Sequence, residues 1–547
     1  MKVRQFHSIL LLAHLVLGYV HTLRAMTVNR VNGGFNILYL DSTTPTSQGD
    51  INLYRAYNSL TALSEKYGTQ GAFGFGFTSA LETQLTITQQ GELLLRDGSS
   101  GNTLAFQAQP SRGNKRRVVY VSSELGFQTI VRDGNLWVRT LHDGGEEVFD
   151  NQGRLITQRN GVSELHYEYY PLHPLQLRRI TTRDQSSWLT LVWKKGHVES
   201  AIDSTGKSAS YQYDDKGNCV QVVNTSGETF RYLYEIEKFP HLITQIEYFA
   251  FNLSDLAHAH QPIPAPQATR ILHYNDEGLV TFHRDVDGTE SKFNYGKDRS
   301  DPRHRFWTKV EKISTQGERT EEKDTFVLRE RTQGSGHYLY KQSVSKGGHH
   351  WDIVYTECCG SPLQVTFDNE LTTFRYNGEG QLTEKTSPKE HVVLKYESQW
   401  HKIKSVAING VVFTYAYDSR GNLASASSTK NQKVLLAYDK HNRIIVLQDL
   451  GKHKATYRFS YRPDGKPATV SEEGVGKVKL VYTEAGDFKE AVLESPKRGV
   501  TAEPNARSRA PYDAQAVRKL VPHILDGFPK VMEALRPIGI NFAEVKL

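Results

Sequence analysis

Cysteine is nearly absent: the 547 residues include only Cys219, Cys358 and Cys359. Three thiols cannot staple a disulfide scaffold, and a thiolate metal cluster would need more ligands at regular spacing. Methionine is equally scarce, with three residues including Met1. Glycine (43) and proline (19) fall far short of a collagen-like or low-complexity chain. No charge of one sign dominates. Lys and Arg number 67 against 60 Asp and Glu, a formal net charge of +7, and there are only 6 Trp. That balance excludes an acidic solvating tail and argues against a nucleic-acid surface, even with the short Lys115-Arg116-Arg117 cluster. No segment beyond the N-terminus reaches the ~18 apolar residues that mark a membrane-crossing helix. The phosphate-cradling Gly-x-x-x-x-Gly-Lys, the Gly-x-Ser-x-Gly elbow and His-Glu-x-x-His are all missing. No catalytic, cofactor or metal residue is therefore assigned.

What is abundant is tyrosine: 28 residues against 23 Phe. Tyrosine suits half-buried pleated surfaces, so the bias points to an all-β chain. The N-terminus differs from the rest. Lys2, Arg4 and His7 precede a short apolar run from Ile9 to Val20, interrupted by His14. A basic head followed by 7–15 apolar residues has the form of a secretory signal peptide, here residues 1–25 with a cut near Ala25. The reading places the protein in the periplasm, at the cell surface or outside the cell, with no membrane-spanning segment in the mature chain.

A repeat of about 21 residues organises the remainder. Tyr211-Gln-Tyr213-Asp214-Asp215-Lys-Gly217-Asn218 returns as Tyr415-Ala-Tyr417-Asp418-Ser-Arg-Gly421-Asn422. Looser copies begin at Phe149, Tyr274, Tyr376, Tyr438 and Tyr482, and Asn442 replaces the glycine in one of them. Tyrosines at i and i+2 share one face of a strand. Asp or Asn followed by Gly three residues on fits a type I turn, in which the Asx side chain caps the backbone and Gly takes positive φ. Each unit thus reads as a hairpin that must stack on its neighbours to bury its aromatic face. Turn chemistry explains the Asp214/Asp215 pair without glycosidase carboxylates. It also places Cys358 and Cys359 at a hairpin turn. The pairs His258/His260 and His349/His350 read as solvated loop. The glycines from Gly71 to Gly76 lie between aromatic strand residues and open no helix.

The Tyr-Asp-x-x-Gly-Asn units resemble the YD repeats of the bacterial Rhs family, shared with teneurins and insecticidal toxin complexes. Tyr54-Arg55-Ala-Tyr57-Asn58-Ser59, Gly71-Ala-Phe73-Gly74-Phe75-Gly76-Phe77 and Leu94-Leu-Arg96-Asp97-Gly98 resemble the aromatic and glycine block that opens many Rhs chains. The resemblance implies a spiralling antiparallel sheet of hairpin repeats, a shell or a strongly curved sheet, often built around a C-terminal toxin. It divides the chain into an N-terminal β region at 26–148 and YD repeats at 149–490. Within the repeats lie an insertion at 249–268, rich in alternate prolines, and charge-rich degenerate repeats at 297–350. A basic linker at 491–512 and a helical tail at 513–547 complete the chain. The only Asp-Pro, Asp301-Pro302, lies mid-chain without the flanking residues of the family's self-cleaving segment. The resulting expectation is an exported, non-enzymatic YD-repeat protein that encloses or presents a partner, either an encapsulated polypeptide or an envelope glycan. Two alternatives are a carrier shell for a separately encoded or lost toxin and an envelope glycan-binding or glycan-hydrolysing protein.

Overall fold

The computed structural model describes residues 27–496, except 45, 47–49, 64–70, 89–91, 99–100, 102, 110–117, 123–127, 142–144, 161–162, 254–261, 333–335, 358–359, 400–401, 441–442, 452–453, 463–466, 475 and 483–487. Its architecture is almost all strand; the one described α-helix, α1, is Ser59–Leu63. Strands β1 (Thr27–Val28), β2 (Phe35–Thr44), β3 (Ile51–Asn58) and β4 (Phe77–Thr78) form a small antiparallel sheet. From β5 (Gln84–Ile87) onward the chain is one long antiparallel meander, 36 strands that do not close into a barrel. The chain divides between Lys389 and Glu390 into two units. The first contains the small sheet and the meander up to β30 (Leu382–Thr386); the second runs from β31 (His391–Tyr396) to β40 (Phe488–Pro496).

The turn chemistry sets the hairpin geometry. Between β17 (Ser208–Tyr213) and β18 (Cys219–Val223), Gly217 N–H donates to Asp214 O at 3.1 Å and Asp214 N–H to Asn218 O at 3.0 Å. Asp214 Oδ1 accepts the N–H groups of Lys216 and Asn218 at 3.0 and 2.8 Å, and Gly217 has φ +82°. This is the three-residue hairpin loop, a type I turn closed by a left-handed residue that makes a bulge. The same paired acceptance recurs at Asp150, Asn275, Asn377 and Asp418. Gly153, Gly278, Gly380 and Gly421 follow at φ +78°, +78°, +77° and +81°. The pairing register shifts beside Tyr213, Tyr274, Tyr376 and Tyr417. A bulge increases the local twist of the strand pair that carries it.

The repeat tyrosines perform a second task, whether the register shifts beside them, as at Tyr213 and Tyr417, or not, as at Tyr295. Their hydroxyls donate to a backbone carbonyl one repeat upstream: Tyr169 to Leu155 (3.0 Å), Tyr213 to Val198 (2.7 Å), Tyr234 to Cys219 (2.8 Å) and Tyr295 to Val280 (2.6 Å). In the second unit, Tyr417 reaches Ile403 (2.8 Å), Tyr438 reaches Leu423 (2.9 Å) and Tyr461 reaches Ile444 (2.7 Å). Tyr274 to Ile243 (2.8 Å) and Tyr376 to Pro362 (2.8 Å) keep the rule, and Tyr482 to Pro467 (2.8 Å) continues it to the end of the sheet. The acceptor commonly lies two residues after the glycine of the preceding turn, as Cys219 follows Gly217 and Leu423 follows Gly421. Each hydroxyl therefore ties one hairpin to the next, contributing about 1 kcal/mol net per bond.

Several sequence expectations acquire a location. The proline-rich insertion falls between β20 (Gln245–Phe249) and β21 (Ala268–Tyr274), which pair antiparallel, and residues 254–261 of it lie outside the described residues. The degenerate stretch forms the long strands β24 (Arg305–Ile313), β25 (Arg319–Glu330) and β26 (His337–Lys346). Strand pairing runs on across residue 148: β10 (Leu136–Thr140) pairs with β11 (Glu146–Phe149), which in turn pairs with β12 (Leu155–Asn160). His349 and His350 open strand β27 (His349–Tyr355) instead of lying in a loop, because their backbones pair with Lys346 and Ser345. β40 runs to Pro496, into the segment read as linker, and its pairing with the preceding strand holds it extended. The signal peptide, Lys115-Arg116-Arg117, His258 and His260, Cys358 and Cys359, Asn442 and the helical tail lie outside the described residues.

Two predictions follow from the turn and tyrosine geometry. Gly206 and Gly153 share positive φ (+87° and +78°), but an added Cβ meets nothing within 4 Å at Gly206 and lies 1.9 Å from Leu85 O at Gly153. Gly206→Ala should cost about 1–2 kcal/mol from backbone strain alone, and Gly153→Ala about 1–3 kcal/mol more from overpacking, measured by urea denaturation. Burial raises the Tyr396, Tyr417 and Tyr461 phenols to about 12. A raised phenol stabilises the fold fully below its unfolded value of about 10 and loses that contribution as pH climbs through its folded value. Denaturation midpoints should hold up to about pH 10 and fall steeply towards about pH 12, tracked by tyrosinate absorbance.

Candidate functional site

The feature that departs from plain repetition is the small N-terminal sheet, which lies along the turn edge of the first unit. Its contacts run in reverse order along the meander. Leu85 N–H donates to Gly153 O at 2.8 Å, and Gln84 bridges Arg154, so the first meander strand curls back to meet β12. Val198 N–H donates to Ala72 O at 2.8 Å. Tyr57 OH donates to His241 O at 3.0 Å and accepts Ile243 N–H at 3.1 Å. Val280 N–H donates to Gly33 O at 2.9 Å, and Thr308 OH to Arg30 O at 2.6 Å. Arg30 then pairs with Glu322 and with Asp324 at 2.8 Å on β25. Val198 and Val280 are shared points: their carbonyls accept tyrosines of the ladder while their N–H groups hold the N-terminal strip.

At the centre of this seam is a fully buried ion pair. Arg55 on β3 donates from Nε to Asp41 Oδ2 at 2.8 Å, and both side chains are 0% exposed. Arg55 Nη2 also reaches Asp41 Oδ1 at 3.2 Å and the Tyr232 hydroxyl at 3.1 Å; Tyr211 OH donates to Asp41 Oδ2 at 3.1 Å. The guanidinium carbon sits 4.5 Å from the Phe77 ring centre and 4.7 Å from that of Tyr39. Asp41, Arg55, Tyr39 and Phe77 belong to the small sheet or its edge, whereas Tyr211 and Tyr232 belong to the meander. The cluster therefore welds one to the other. Burial works against the Arg55 charge, but Asp41, Tyr232 and Cys219 together outweigh it and the guanidinium stays protonated. Burial raises Tyr211 and Tyr232 well above the usual phenol range. It also pushes the Cys219 thiol up to about 12, which removes thiolate chemistry there.

The glycine-rich block supplies the fit. Phe73 and Phe77 are buried, and a Cβ on Gly74 would lie 2.7 Å from Gly217 O, so only glycine allows this loop to touch the repeat turn. Further along the seam, Phe35 packs on His283, with ring centres 5.9 Å apart. Arg270 Nε donates to His283 Nε2 at 3.1 Å; burial first, then Arg270, lowers His283 to about 4, keeping it a neutral acceptor. The Asp214/Asp215 pair sits at its turn, where Asp214 is occupied by backbone N–H groups and Asn218. Asp41 carried no sequence signal, since its meaning depends on an arginine 14 residues away and on tyrosines about 170 and more residues away. Arg55 lay inside the flagged aromatic block without a role. Among the described residues no helix is long and apolar enough to cross a membrane.

No protein-family model matches the chain, and no curated protein does. Solved structures do. A crystal structure of TcdB2-TccC3-Cdc42 aligns at TM-score 0.38 and 11% identity, over 85% of this chain and 30% of that one. One of TcdB2-TccC3-TEV aligns at TM-score 0.37 and 12% identity, over 89% and 31%. A porin-like protein from Bacteroides uniformis ATCC 8492 aligns at TM-score 0.11 and 9% identity, over 59% of this chain and 90% of that one. This chain thus spans under a third of the two TcdB2-TccC3 chains.

Removing one partner of the buried ion pair leaves the other charge uncompensated. Arg55→Met should lower unfolding stability by about 3–5 kcal/mol. Limited proteolysis should then cut first within the N-terminal strip, while the double variant Asp41→Leu/Arg55→Met recovers much of the loss.

Proposed function

We propose that this chain is a YD-repeat wall protein that encloses or presents a polypeptide partner, without enzymatic activity, after export to the envelope or beyond. The observation that carries this reading is the tyrosine ladder, which ties successive hairpins together within each unit. The N-terminal strip supports it as well: a sheet seated along the turn edge stiffens one rim and shapes the wall around whatever lies beside it. The glycan reading has less support, because the repeat tyrosines are half-buried and their hydroxyls are engaged by carbonyls, leaving little ring face for stacking a sugar. Export rests on the basic and apolar N-terminus.

The test is expression of the full chain with its own N-terminus in a bacterial host, followed by fractionation. The mature protein should appear in an exported fraction with a mass consistent with cleavage near Ala25. Electron microscopy should show a curved particle, and mass spectrometry a co-purifying polypeptide resistant to added protease. Retention of the uncut chain in the cytosol would remove the export reading. A flat particle that protects nothing would remove the enclosing role.

A further inference from the structure

The degenerate stretch contains a side-chain cluster that the wall itself does not require. β24 begins immediately after His304, β25 ends at Glu330 and β26 begins at His337, so three adjacent antiparallel strand ends deliver these residues to one place. Glu330 and His337 are direct cross-strand partners, and Leu328 N–H donates to His304 O at 2.7 Å, which fixes the third strand end beside them. One donor atom from each of His304, Glu330 and His337 lies within 4.8 Å of the other two. The three side chains line a common cavity of about 460 Å³ with Lys297, Pro302, Arg303, Phe306 and Leu328.

We propose that His304, Glu330 and His337 form a binding site for a divalent first-row transition metal, with zinc as the reference ion. Two imidazoles and one carboxylate are a donor set that zinc accepts, at metal–ligand distances of about 2.0–2.2 Å. Donors around such an ion stand about 3.3 Å apart, as tetrahedral bonds of that length require. Closing from 4.8 Å needs only rotamer adjustment of Glu330 and His337, both of which are exposed. His304 is already oriented: Asp301 Oδ1 holds its Nδ1 at 2.9 Å, leaving Nε2 for the metal. A carboxylate behind a ligating imidazole is the usual outer partner of such sites. The cavity leaves a fourth position open.

The location suggests what the site does. Here the ladder lapses, since Tyr355 OH donates to the Gln342 side chain at 2.9 Å instead of to an upstream carbonyl. A metal joining the ends of β24, β25 and β26 would brace three neighbouring strands beside this lapse in the ladder.

Chelator-treated full-length protein titrated with Zn²⁺ by calorimetry tests the site, with cobalt absorption reporting the ligand geometry. One equivalent should bind in competition with a weak chelator and raise the thermal midpoint. His304→Ala/His337→Ala should weaken that binding at least tenfold and abolish the midpoint shift, with unchanged far-UV circular dichroism. Asp301→Asn, at a positioning residue, should weaken binding about 10–100-fold while leaving the metal-free midpoint unchanged. Absence of Zn²⁺ binding by the parent chain, or undiminished binding by the folded double variant, would overturn the proposal. Undiminished binding by Asp301→Asn would remove Asp301 from it.

Discussion

The phenol-to-carbonyl bond from one hairpin to the one before it is the tie on which the rest depends. A two-stranded hairpin is marginal alone in water, and neighbouring strands share only one ladder of backbone bonds. The tyrosine reaches past that ladder to the backbone of the preceding turn. It thereby sets the distance and angle between repeats, and it buries a large ring while satisfying its polar end. The bulge that orients the ring exists because Asx and glycine close the turn in the left-handed conformation. Turn, bulge, ring and tie are one device repeated along the chain.

The N-terminal strip uses the same anchor points from the other side. At Val198 and Val280 a single residue accepts a tyrosine through its carbonyl and donates its N–H to the strip. The edge of turns, which would otherwise present unpaired backbone groups, is thus partly satisfied by the chain's own beginning. The buried Asp41–Arg55 pair fits this arrangement. A charge pair costs more to bury than an apolar pair of the same volume, yet it tolerates few wrong partners, so it specifies which repeats the strip meets. Its ring of Tyr39, Phe77, Tyr211 and Tyr232 draws on both components of the seam.

The two units share one repeat but differ in depth. In the first, the strip adds a second layer, and the core extends continuously from Val28 to Val310. In the second, the buried residues form a thinner row around Tyr415, Leu436, Leu447 and Tyr457, with further rings and aliphatics only half-covered. A sheet with one half-covered face depends more heavily on its ties.

The amino-acid order alone determined the hairpins, their pitch and their turn type, because those follow from contacts within about ten residues: Asp418 with Gly421, Tyr415 with Tyr417. It also marked the degenerate stretch and the proline-bearing insertion by composition. It could not place the acceptor of each tyrosine, the partner of Asp41, or the meeting of His304 with Glu330 and His337. Those are separated by 7 to 170 residues and become neighbours only when strands are laid edge to edge in register. Local chemistry is written in adjacent letters, whereas the seam and the histidine cluster arise from pairing register and curvature, which only the folded sheet supplies.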